Sequence, residues 1–280
     1  MKIVITGGAT GLGQALALEW ASNQPSLSVC IADIHAERGE ATVSMLKAKG
    51  ASAFYQHCDI TSQNEVNSLV DAVQSQWGGV DVVFNNAGVA TGGSLTDESI
   101  AQWEWVININ LLGMVRVSQA FLPLFERQNS GHFVNIASQA GITPIPYMNS
   151  YNAVKAAVVS LSETMKLELS PRNIDVSVVC PSFFKTNLDE SMRSDNPAMH
   201  KMMGHFFKKA DIDKETVAKI IYQEVQKKRF LILTHKLGKR AFLLKKLLPT
   251  ERYIKTMLKQ TKSMKKALDK AQDTRSKEGQ

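Results

Sequence analysis

The stretch Thr6-Gly7-Gly8-Ala9-Thr10-Gly11-Leu12-Gly13 limits what this chain can fold into more than any other part of it. A short β-branched run, residues 2–6, leads into it, and a segment of helical period, residues 12–22, leads out. Glycine at 7, 11 and 13 lets the backbone turn tightly and come close to a pyrophosphate seated on the helix N-terminus. A glycine cluster in an arbitrary loop carries little weight. Between a first strand and a first helix it stands where that mechanism needs it. Gly7, Thr10, Gly11, Leu12 and Gly13 are therefore candidate dinucleotide contacts.

The rest of the chain repeats the alternation. Apolar runs at residues 2–6, 28–32, 53–58, 80–85, 132–136, 175–180 and 230–234 suit strands covered on both faces. Helical patterns fill residues 12–22, 36–49, 64–76, 100–126, 150–169 and 214–228. The expected fold is α/β: a Rossmann-type, doubly wound, mainly parallel seven-stranded sheet with a helical C-terminal appendage. Residues 1–235 form the catalytic domain in this reading, and residues 236–280 the extension. At 280 residues, the chain can bury about three quarters of its unfolded surface, so it needs no disulfide or metal to hold a core. Cys30, Cys58 and Cys180 lie in or beside apolar runs without C-x-x-C spacing, and read as reduced core residues of a cytoplasmic protein. No run of about 18 apolar residues is present. Residues 2–6 lead straight into glycines, unlike a secretory signal. No metal site is expected.

About 20 residues beyond the glycine turn, Asp33 closes the second apolar run. An acid there accepts both ribose hydroxyls of NAD and repels the additional phosphate of NADP. The competing reading is a plain cap for the helix that begins near Ala36. The glycine turn contains no Lys or Arg, which favours NAD(H), while nearby Arg38 leaves NADP(H) open. Asp59, followed by Ile60, is placed to face an adenine amine, although Asp before Thr-Ser is equally a turn former.

Tyr151 and Lys155 are four apart at a helix start and share a face. A tyrosine, with a pKa near 10, becomes a usable acid/base near neutrality when an ammonium and a cationic nicotinamide lower it. Ser138, in Asn135-Ile136-Ala137-Ser138, supplies a hydroxyl able to polarise a substrate carbonyl. Together with Asn85-Asn86-Ala87-Gly88 and Asn110-Leu111-Leu112-Gly113, these motifs resemble the short-chain dehydrogenase/reductase family over residues 1–235. The resemblance implies an NAD(P)(H)-dependent oxidoreductase that interconverts a secondary alcohol and its ketone, with Tyr151 exchanging the proton. It implies that Asn110 anchors a water linking Lys155 to solvent, and that Asn86, Ala87 and Gly88 support the central strands and the cofactor ribose. Lys155 would also bind the nicotinamide ribose. Pro181 would border the cofactor, and Thr186 would hold its carboxamide. Ser182 departs from the family's usual Pro-Gly. A homodimer or homotetramer, packed through residues 100–126 and 150–169, is likewise implied. A catalytically silent dinucleotide-binding sensor or scaffold is the alternative. Retention of Asn110, Ser138, Tyr151 and Lys155 favours the enzyme.

Between residues 188 and 210 the chain holds Met192, Met199, Met202, Met203, Phe206 and Phe207. By the resemblance this stretch covers the substrate. Met adapts to irregular apolar shapes, so a hydrophobic small-molecule alcohol or ketone is expected, with plain core closure the equal alternative. Charge is divided along the chain. Residues 1–225 hold 16 Lys/Arg against 22 Asp/Glu, and residues 226–280 hold 17 against 4, so the net +7 belongs to the tail. Residues 239–248, and a second helix capped by Thr250 with Ile254, Met257 or Leu258, Thr261, Met264 and Leu268 on one stripe, make that tail basic and amphipathic. Docking on the body or on a second subunit is the leading expectation. Peripheral contact with an anionic membrane through Phe242, Leu244, Leu247 and Leu248 comes next. Nucleic acid comes last, because the acidic body opposes it. Since the nucleotide and catalytic positions all lie upstream, the site is expected to be complete without the tail.

Overall fold

The computed structural model describes residues 1–184, 192–194, 199–200, 204, 210 and 212–262. Seven strands form one sheet: β1 (Lys2–Thr6), β2 (Ser28–Asp33), β3 (Ser52–His57), β4 (Val82–Asn85), β5 (Gly131–Ile136), β6 (Ile174–Cys180) and β7 (Leu231–Leu233). Their order is β3-β2-β1-β4-β5-β6-β7, and every pairing is parallel. The chain steps outward from β1 in one direction and resumes beside it at β4 in the other. A sheet of this kind takes its ligand at that switch point, outside the carboxyl ends of the strands.

Burial on both faces explains why the strands read as continuous apolar runs. Ile3 and Ile5 of β1 pack with the layer of α1 (Gly11–Asn23), α2 (Ala36–Ala48) and α8 (Lys214–Gln226). Val4 between them packs with the opposite layer, α3 (Gln63–Trp77), α5 (Met114–Gln128) and α7 (Asn149–Leu169). Trp20 of α1 meets Phe84 of β4 edge-on, with ring centroids 4.9 Å apart. Large side chains buried in this way each contribute about 1.5–3 kcal/mol. Cys30, Cys58 and Cys180 are free and buried.

The helical pattern at 100–126 proves to be interrupted. α4 (Ile100–Ile107) passes into a π-helical turn, Asn108–Gly113, before α5 resumes. Apolar periodicity averaged over several turns does not reveal one widened turn in the ladder. The run Ile100–Gln128 spans 29 residues and contains an 18-residue window with a mean hydropathy of 1.2, enough by length and composition to cross a bilayer. Its Val117, Phe121 and Phe125 are instead buried under the sheet. The short α6 (Gln139–Ile142) is too brief to show a period of its own.

The tail forms α9 (Lys236–Leu247) and α10 (Thr250–Gln260). Pro249 occupies the N-cap of α10, which makes Thr250 its first helical residue instead of its cap. Phe242 packs against a cluster that includes Ala137, Val158 and Val178, so it faces inward and is not available to lipid. Lys245 Nζ donates to Ile142 O at 2.6 Å, and Gln139 Nε2 donates to Gly238 O at 3.2 Å. Residues 236–262 thus dock on the body. Met264 and Leu268 lie outside the described residues.

Candidate active site

β1 delivers the chain to the edge of the sheet, where Gly7 and Gly11 take φ values of +62° and +57°. Only glycine enters that region freely. Gly13 serves another end. A Cβ there would stand 2.2 Å from Gly7 O, so its absence lets α1 pack directly on the turn. Gly13 accordingly does not line the cavity, whereas Gly7, Thr10, Gly11 and Leu12 do. Asn86 Nδ2 donates to Thr6 O and Gly7 O, both at 2.9 Å, and Asn86 N donates to Thr6 Oγ1 at 3.0 Å. The turn is thereby tied to the end of β4.

Asp33 is buried at the end of β2 and faces the same cavity. Its Oδ2 accepts from Ala9 N and its Oδ1 from His35 N, each at 3.0 Å. It therefore braces the glycine turn, and the N-cap of α2 is His35, not Asp33. A carboxylate offers about four acceptor positions, so ribose hydroxyls still find room. Asp59 Oδ1 accepts from Thr61 N and Thr61 Oγ1 at 2.8 Å each, which is the turn-forming role. Both Asp59 and Ile60 also border the cavity, as does Arg38.

The first two turns of α7 carry Tyr151 and Lys155, both buried. Lys155 Nζ donates to Ile136 O at 2.9 Å and lies 5.8 Å from the Tyr151 ring centroid. Ser138 is the N-cap of α6, and its Oγ accepts from Ala140 N at 3.1 Å, which leaves its proton to donate. Ser138 is hydrogen bonded to the Tyr151 hydroxyl. Burial pushes the Tyr151 phenol up to about 12, with the Ser138 hydrogen bond pulling the other way. Burial also lowers the Lys155 ammonium to about 8. In the protein alone the tyrosine pKa is thus raised, not lowered, because desolvation outweighs the Ser138 hydrogen bond. Tyr151 is held as a protonated acid.

Asn110 sits in the π-helical turn, buried behind the cavity wall. Its Nδ2 donates to Val89 O at 2.9 Å and its Oδ1 accepts from Val89 N at 2.8 Å, which fixes the loop that follows Gly88. A Cβ on Gly88 would lie 3.0 Å from Asn110 Oδ1 and 3.6 Å from Lys155 Nζ, so glycine lets the loop pass close to both. Two contributors carried no sequence signal. Glu98 is a buried carboxylate that accepts from Ser150 N at 2.8 Å and so pins the start of α7 beside Tyr151. Burial holds its pKa above the ordinary range. The Arg193 guanidinium lies 3.8 Å over the Trp105 ring on the cavity wall.

One cavity of about 1470 Å³ runs from the glycine turn and Asp33, past Asn86, Ala87 and Gly88, to Ser138, Tyr151, Lys155 and Pro181. A single ligand pocket commonly measures about 300–1,000 Å³, so the space suits a dinucleotide with a second molecule beside it. The far end is apolar, walled by Ile145, Met148, Phe183 and Met192. Met192 and Met199 cluster with Tyr151. Thr186, Met202, Met203, Phe206 and Phe207 fall outside the described residues. Ser182 does not adopt a left-handed φ, so the position does not require glycine, and its N–H donates to His235 Nδ1 at 3.2 Å. The tail departs from expectation: Leu237, Gly238, Ala241, Met257, Gln260 and Thr261 all line this cavity. The glycine turn and catalytic residues are upstream, but the wall is not.

Known proteins resemble this chain in sequence and fold. A family model described as short chain dehydrogenase matches residues 1–197. A CLA biosynthesis dehydrogenase/reductase from Lactiplantibacillus plantarum is 30% identical over 250 residues, covering 82% of this chain and 86% of that protein. A 3-oxoacyl-(acyl-carrier-protein) reductase from Staphylococcus epidermidis is 33% identical over 192 residues, covering 69% and 78%. A short chain dehydrogenase/reductase from Burkholderia phymatum, solved in complex with NAD, aligns with a TM-score of 0.82 at 31% identity, covering 87% of this chain and 92% of that one.

Proposed function

Because the chain belongs to the short-chain dehydrogenase/reductase family of oxidoreductases, we propose that it interconverts a hydrophobic secondary alcohol and its ketone with NAD(H) as hydride carrier. The observation that carries this reading is the single cavity with Asp33 at one end and the hydrogen-bonded Ser138 and Tyr151 at the other. A nicotinamide dinucleotide, when bound, supplies or accepts the hydride. Main-chain N–H groups at the start of α1 meet the pyrophosphate charge. Asp33 takes the adenosine ribose hydroxyls and disfavours an added phosphate there. Lys155 meets the other ribose.

Ser138 donates a hydrogen bond to the substrate oxygen. Tyr151, kept protonated by burial, delivers its proton to that oxygen as the carbonyl is reduced. In the opposite direction Tyr151 takes the proton back, with the Lys155 ammonium stabilising the phenolate. The apolar far wall favours a substrate with an alkyl or other hydrophobic body. One relative named for 3-oxoacyl reduction and another named for CLA biosynthesis are compatible with that class. The sensor or scaffold alternative loses support because Ser138, Tyr151 and Lys155 all face the cavity.

The test is NADH oxidation over a panel of apolar ketones by the parent and by Tyr151→Phe. The variant should lose at least about a hundredfold in turnover while retaining NADH binding by fluorescence titration. Equal turnover would remove Tyr151 from the chemistry.

A further inference from the structure

The cavity opens beside the C-terminal helices. Leu237 lines it while 71% exposed, and Gln260 lines it while exposed, so one opening lies where α9 and α10 meet solvent; exposed Ile34 and Arg38 mark another at the Asp33 end. The inner faces of these helices are accounted for. Gly238, Phe242 and Lys245 of α9 meet the body, Tyr253 of α10 is buried, and Met257 borders the cavity. With about 3.6 residues per turn, the opposite side of α9 presents Lys236, Arg240, Leu243 and Leu247. That of α10 presents Ile254, Lys255 and Leu258, with Lys262 just past its end. Leu243, Leu247 and Leu258 are 56%, 72% and 66% exposed. Residues 236–262 contain nine Lys/Arg and a single acid, Glu251. Among the described residues, the recorded ion pairs join other cations, and none of these nine reaches a carboxylate.

We propose that this face docks on an anionic phospholipid bilayer and brings the opening beside α9 and α10 to the lipid. Unpaired cations interleaved with outward leucines match headgroup phosphates and the acyl boundary beneath them. An acidic protein or a nucleic acid would satisfy the cations but leave the leucines wet. Charge division also sets the orientation: residues 1–225, with 16 Lys/Arg against 22 Asp/Glu, are repelled by the same surface that attracts the tail. Each basic residue brought to such a membrane strengthens partitioning by roughly fivefold, and the attraction decays within a Debye length. Leucine insertion does not decay with salt. Docking of this kind stands whether or not the proposed reaction is correct, since it is read without substrate.

The experiment is co-sedimentation of the full chain with vesicles of phosphatidylcholine alone and of phosphatidylcholine with phosphatidylglycerol. It is run at low salt and at about 1 M salt, where the Debye length is about 3 Å. Partitioning onto the anionic vesicles should exceed that onto neutral ones by at least about tenfold at low salt, with a measurable part surviving at high salt. Combining Leu243→Glu, Leu247→Glu and Leu258→Glu should remove the surviving part. Combining Lys239→Glu, Arg240→Glu and Lys255→Glu should remove the preference for anionic lipid. None of these positions borders the cavity, and unchanged circular dichroism melts of the variants establish that they fold. Three results overturn the proposal. The parent shows no preference for anionic vesicles at low salt; or its binding vanishes completely at high salt, which marks a basic surface open to any acidic macromolecule; or, without vesicles, the leucine variants break an oligomer that the parent forms, which assigns the face to a second copy.

Discussion

Replacing Lys155 by Met should stabilise the cofactor-free protein at neutral pH and destabilise it in alkali. Burial holds the Lys155 ammonium at about 8, against about 10.4 in an unfolded chain. At about 1.36 kcal/mol per pKa unit, carrying that charge in the folded state costs about 3 kcal/mol at pH 7 and below. Between about pH 8 and pH 10.4 the unfolded chain holds the proton and the native chain does not, so parental stability rises with pH across this window. Met retains most of the apolar stem but loses the 2.9 Å hydrogen bond to Ile136 O, a loss of about 1–2 kcal/mol. The variant should therefore be more stable than the parent by about 1–2 kcal/mol near pH 7, and less stable by a similar amount near pH 10.5. Urea unfolding at both pH values measures it, with equal slopes required for the comparison. The reasoning is refuted if the variant is destabilised equally at both pH values, because the native ammonium would then carry no desolvation penalty. Turnover should collapse at either pH, so that near pH 7 stability and activity move in opposite directions.

Other substitutions probe the remaining parts of the site. Asp33→Ala should shift the NAD-to-NADP ratio of kcat/KM toward NADP. It should also weaken both cofactors, because Ala9 N and His35 N lose their acceptor; an unchanged ratio would mean another group reads the ribose. Ending the chain after His235 removes Phe242 from its packed seat and Leu237, Ala241 and Met257 from the cavity wall. The truncated protein should lose about 3–5 kcal/mol of stability in urea, keep NADH binding while folded, and raise KM for bulky ketones more than for small ones. Sedimentation equilibrium at micromolar concentration should give a dimer or tetramer, and Leu112→Glu, at an exposed position within the π-helical turn, should shift it toward monomer.

Much of this molecule is legible before folding because its signals are local. Alternating β-branched runs and helical periods yield the sheet, and the glycine turn announces where a pyrophosphate sits, since the φ values it needs are available at Gly7 and Gly11. Tyr151 and Lys155 share a helix face by spacing alone. The π-helical turn around Asn110 was hidden, because one widened turn leaves the apolar stripe almost unchanged.

Environment is another matter. The rise of Tyr151 to about 12 and the fall of Lys155 to about 8 follow from burial under segments far away in the chain, which spacing does not encode. Glu98 is an ordinary loop acid until the fold sets it against Ser150 N. The tail reads as a separate basic appendage, yet Leu237 and Met257 share a cavity with Gly7 and Tyr151. Periodicity along the chain tells a helix which face to bury; only the folded body determines what that face is buried against, and desolvation, the largest force on these catalytic groups, depends on that answer.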